Sequence, residues 1–87
     1  PADGPVQPGQ PAAAIEGALT LLAEAAHRGL TRLPPTFPAR TTPVAAALTR
    51  TGLTRCAEAV QAWGAAPADP AAWLRAEIRL LTANELH

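Results

Sequence analysis

AAHRGLTRLPPTFPARTTPVAAALTRTGLTRCA, residues 25–57, contains five arginines and no Asp or Glu. At its centre stands the run Leu33-Pro34-Pro35-Thr36-Phe37-Pro38. Proline lacks a backbone donor and fixes φ, so this run ends one helical pattern and cannot be a central strand. Apolar residues recur at helical spacing on both sides of it. The stretch is therefore the hinge of an all-α chain, joining two helices that pack side by side with Phe37 tucked into their shared end.

Before the hinge, Ile15, Leu19, Leu22, Ala26, Leu30 and Leu33 follow one another three or four residues apart and share a helix face. Pro11 suits the first turn of that helix, and Arg28 near its negative end pairs with Glu24 one turn earlier. The end falls between Gly29 and Arg32. Beyond the hinge, Thr42-Pro43 is a cap-then-proline start, and Val44, Leu48, Cys56, Val60 and Trp63 carry a stripe to Gly64. Gly52 lies on this face, where it either breaks the helix near Thr51 or, as is expected here, lets a neighbouring helix approach closely. Asp69-Pro70 repeats the start signal, and Trp73, Leu74, Ile78 and Leu81 mark a last helix. Residues 1–11, PADGPVQPGQP, have four prolines and two glycines and bury almost nothing, which is the composition of a linker. The expected architecture is a three-helix bundle over 12–87, with helices at about 12–31, 43–63 and 70–84, behind a proline-rich N-terminal extension.

Composition supports this class. Alanine and leucine dominate the 87 residues, while Phe37, Trp63 and Trp73 are the only aromatics. Lysine, serine, methionine and tyrosine are absent, a bias typical of GC-rich bacterial genomes. A single cysteine cannot form an internal disulfide, and no apolar run reaches the roughly 18 to 20 residues that cross a bilayer, so a cytoplasmic location is expected. The chain opens at Pro1, as a piece of a longer protein would.

The chemistry-bearing residues are sparse. Cys56, His27 and His87 are too few and too scattered for a four-ligand zinc site, and no other metal or cofactor is expected. Cys56 on an apolar helix face is a small buried hydrophobe before it is a nucleophile. Without serine, serine-nucleophile mechanisms are excluded; the glycines are too dispersed to cradle phosphate, and the glutamates suit solvated surface. The chain is not expected to be an enzyme or to take a small-molecule substrate. Pro35 to Arg40 matches the P-x-x-P-x-R pattern of polyproline ligands, but three prolines in a helix connection serve first as a stiff turn.

Two functions are compatible with these features. The apolar positions exceed what one neighbouring helix covers, so a protein-protein interaction or assembly module is expected, with Trp63, Trp73 and Leu80 as its contact surface and a protein partner or a second copy upon it. Alternatively, the chain is a nucleic-acid-binding accessory domain. Residues 25–57 carry a net +5 against −5 elsewhere, and Arg28, Arg32, Arg40, Arg50 and Arg55 would hold phosphates if they converge.

The order of elements adds a resemblance. The proline-rich lead, then GALTLLAEAAHRGLTRL (17–33), AAALTRTGLTRCAEAV (45–60) and AAWLRAEIRLLTA (71–83), resembles the helical region after the zinc-binding module of bacterial SWIM zinc-finger family proteins. The similarity spans about residues 11–83. The family's zinc ligands have no counterparts here. The resemblance implies only a helical accessory region in a protein that binds nucleic acid or proteins.

Overall fold

The computed structural model describes residues 10–86, and within them every regular element is helical. Four α-helices appear where three were expected. They are α1 (Gln10–Arg28), α2 (Thr41–Arg50), α3 (Thr54–Ala65) and α4 (Pro70–Leu86), with 3-10 turns at Leu30–Arg32 and Phe37–Arg40 between α1 and α2. Each helix packs on the next, and α4 returns to α1, which closes a ring around one core. The first helix starts at Gln10, so the end of the expected linker is helical; residues 1–9 lie outside the described part.

The extra helix end comes from Gly52. Its φ of 84° is the left-handed region that other residues adopt only at a cost, so Gly52 breaks the chain between α2 and α3 instead of easing a helix past. The hydrogen bonds are those of a Schellman cap: Leu53 N–H donates to the Leu48 carbonyl at 2.8 Å and Gly52 N–H to that of Thr49 at 3.1 Å. The tetrapeptide Gly-Leu-Thr-Arg occurs twice, at 29–32 and 52–55, and stops a helix both times. Gly29 also has positive φ, 94°. The two copies lead to different continuations: after the first, Pro34 and Pro35 forbid a helix, while after the second Cys-Ala-Glu-Ala carries α3 forward at once.

Asp69 caps α4 as its sequence implies, the carboxylate accepting from Ala71 N–H at 2.9 Å. The Pro-rich connection folds inward. Phe37 is buried and meets Trp63 edge to face, with centroids 5.8 Å apart and planes at 71°. It sits in a 3-10 turn, so this segment is not an extended polyproline ligand.

The core unites Phe37 and Trp63 with Ile15, Leu22, Leu48, Val60 and Leu80, all fully buried. On α1 the buried face is Ile15, Ala18, Leu22 and Ala25, a slight rotation from the expected stripe that leaves Ala26 exposed. On α4 the expected stripe is reversed. Ala72, Ala76, Leu80 and Ala83 face inward, and Leu74, Ile78 and Leu81 face outward. The indole of Trp73 ties α4 to α1, its Nε1–H donating to the Leu22 carbonyl at 2.9 Å.

Candidate functional site

Leu74, Ile78, Leu81 and Leu86 share the outer surface of α4, at helical spacing through the first three, and are 46 to 79% exposed. Leu74, Ile78 and Leu81 so aligned form a stripe about 10 Å long, with Leu86 further round the helix. Beside it runs a groove of about 820 Å³. One wall is the α2–α3 junction and the start of α3, contributing Leu53, Arg55 and Cys56; the other is α4, contributing Leu74, Ile78 and Leu86. Gly52 helps to make the groove, because its cap turns the chain and sets the start of α3 beside α4.

Arg55, Arg75 and Arg79 also line this groove, and no acid does. The same three arginines line a smaller depression alongside, where Glu58 joins them. Among the described residues none of the three makes an ion pair. Cys56 at the base is buried, its Sγ 3.5 Å from the Arg79 carbonyl oxygen, and burial pushes its thiol pKa upward. His27 is exposed on α1, which does not neighbour α3 in the ring, so the two do not form a nucleophile pair.

The surface expected at Trp63, Trp73 and Leu80 is corrected by burial. Trp63 and Leu80 are inside the core, at 1% and 0% exposure. The Trp63 indole N–H closes the α3–α4 turn by donating to the Pro67 carbonyl at 3.2 Å. Trp73 is half-buried, its polar edge spent on α1. Aromatic size drew attention to these positions, whereas the open residues are the aliphatic ones of α4. The signal was present in the spacing of Leu74, Ile78 and Leu81, which would suit either a core face or a docking face.

The five arginines of 25–57 do not act as one cluster. Arg40 binds Glu24 through both terminal nitrogens, at 2.6 and 2.9 Å, and Arg28 approaches the same carboxylate at 3.4 Å. Arg40 also lies over the Phe37 ring, 5.1 Å from its centroid. Arg40, and with it Arg28, holds the Glu24 carboxyl below the ordinary carboxylate range. These two therefore tie the Pro-rich connection to α1. Arg55 instead joins Arg75 and Arg79, which lie outside the acid-free stretch, while Arg32 and Arg50 are exposed at the ends of their own elements.

Fold and surface together define a small all-α domain with an apolar, arginine-edged groove on one side. No protein-family model matches the chain, and neither a curated protein nor a solved structure matches it. Among the described residues no group of three or more His, Cys, Asp or Glu could hold a metal ion, and no helix is long and apolar enough to cross a membrane.

Proposed function

We propose that this chain is a non-catalytic interaction or assembly module of a larger bacterial protein or complex, and that it docks through the outer face of α4. The observation that supports this reading is the exposed apolar face of α4, the stripe Leu74, Ile78 and Leu81 with Leu86 further round, beside an open groove. An apolar surface of this kind gains free energy when another molecule removes it from water, at roughly 25 cal/mol per Å². Nucleic-acid binding through Arg28, Arg32, Arg40, Arg50 and Arg55 has less support, since Glu24 already neutralises part of that charge.

A photo-crosslinking amino acid placed at Leu81 in the parent cell tests the reading. A discrete crosslinked product is expected there, and none from Ala23, an exposed position on α1. Equal products from both sites, or none from either, would remove α4 as the docking face.

A further inference from the structure

The groove has a composition that selects among occupants. Its walls carry Arg55, Arg75 and Arg79 and no Asp or Glu, around Leu53, Leu74 and Ile78. We infer that its partner is an acidic amphipathic helix, with an apolar stripe that enters the groove and Glu or Asp side chains that meet these arginines. The inference rests on the docking reading above and adds the chemistry of the partner.

Other occupants fit less well. In a symmetric pair of this chain, each copy would bring three arginines and no acid to the shared groove, and like charges brought together out of water oppose association. A small apolar ligand needs 70 to 90% of its surface covered, in general, whereas these side chains are about half exposed and wall an open channel. The chain's own residues 1–9 contain one acid, Asp3, and one large apolar residue, Val6, too little to cover the exposed apolar residues of α4.

Backbone chemistry narrows the choice to a helix. The described residues offer no strand edge to which an extended peptide could add, so a partner must be held by side chains. A helix with anchors at i, i+4 and i+7 can follow Leu74 and Ile78 on the groove wall and Leu81 beside it, turn for turn. Its own body covers the groove between the α2–α3 wall and the α4 wall. Arginine suits the edge of such a contact, because the guanidinium can bind a carboxylate through two hydrogen bonds while its stem covers apolar surface.

Fluorescence-anisotropy titration of the 87-residue chain tests this with two labelled peptides of about 18 residues, both with leucines at helical spacing. One carries glutamate on the flanks of the stripe and the other lysine. The glutamate peptide is expected to bind at least about tenfold more tightly at low salt, with the difference shrinking as salt rises. Ile78→Asn is expected to abolish binding of both, and Arg75→Glu with Arg79→Glu to reverse the preference; circular dichroism checks that each variant is folded. Equal binding of the two peptides would overturn the acidic partner and leave apolar docking standing. No binding of either peptide, with the Leu81 crosslink still formed, would overturn the helix inference alone, and loss of the crosslink as well would overturn both readings.

Discussion

Thr41 and Gly64 show how little room separates the start of α2 from the end of α3. Thr41 is buried, its hydroxyl donates to the Pro38 carbonyl at 2.7 Å, and a Cβ on Gly64 would collide with that hydroxyl oxygen. The oxygen sits directly on Thr41 Cβ and cannot swing far. Gly64→Ala should therefore cost about 1–3 kcal/mol in urea unfolding. Combined with Thr41→Ala it should cost less than the sum of the two single changes, since the closest contact goes with the hydroxyl. Gly52→Ala meets no neighbour and should cost about 1 kcal/mol, from positive φ alone. At Glu24 the sign is that of a depressed carboxyl: its contribution is complete above the unfolded value of about 4.3 and is lost as pH falls through the lower folded value. The stability gap between wild type and Glu24→Gln, measured by denaturant titration, should be widest near neutral pH and close as acid is added. Cys56 runs the other way. Burial raises its pKa, so the thiol leaves stability unchanged while both states are protonated and lowers it above about pH 8.5, where the unfolded chain ionises first; the native thiol should also react with a thiol reagent far more slowly than the denatured one.

At the scale of elements, α4 separates a core face from an exposed apolar face by only two residues. Leu80 is fully buried and Ile78 is 54% exposed. Leu80→Ala should lower stability by about 2–5 kcal/mol, while Ile78→Ala should change it by no more than about 0.5 kcal/mol. Thermal unfolding followed by circular dichroism distinguishes them directly, and a large loss at Ile78 would mean that α4 turns this residue inward and Leu80 outward. Helix identity was legible in the chain because local signals are local physics: Asp69-Pro70 caps α4, and Gly29 stops α1. The break at Gly52 was harder to see. A helical glycine and a capping glycine differ by a positive φ that no neighbouring proline announces, and Gly-Leu-Thr-Arg gives the same four letters at both helix ends.

For the whole molecule, Phe37 is the point at which the connection, α1 and α3 are held together, through Trp63 on one side and through Arg40 with Glu24 on the other. Phe37→Ala should cost about 3–5 kcal/mol, a large share of the stability of a domain this small. Because Trp63 touches the lost ring, tryptophan fluorescence and helical signal should shift together to a lower midpoint; separate midpoints would mean that the ring of helices does not unfold as one unit. Residue type and spacing by themselves determined that the chain is all-α, that the first helix ends around Gly29 ahead of Pro34, and that charge is unevenly spread along it; that Gly52 ends α2 was not among these. Only the tertiary structure decided which side of α4 faces water and which arginines stand together. Helical periodicity identifies an apolar stripe without saying whether the chain's own core or another molecule will cover it. Here Trp63 and Phe37 fill the core from the other helices, the alanines of α4 fit the space that remains, and the larger Leu74 and Ile78 are left outside. Charge behaves alike: Arg40 joins Glu24 across sixteen positions, and Arg55 joins Arg75 and Arg79 across the α3–α4 groove, because packing brings together groups that sequence holds apart.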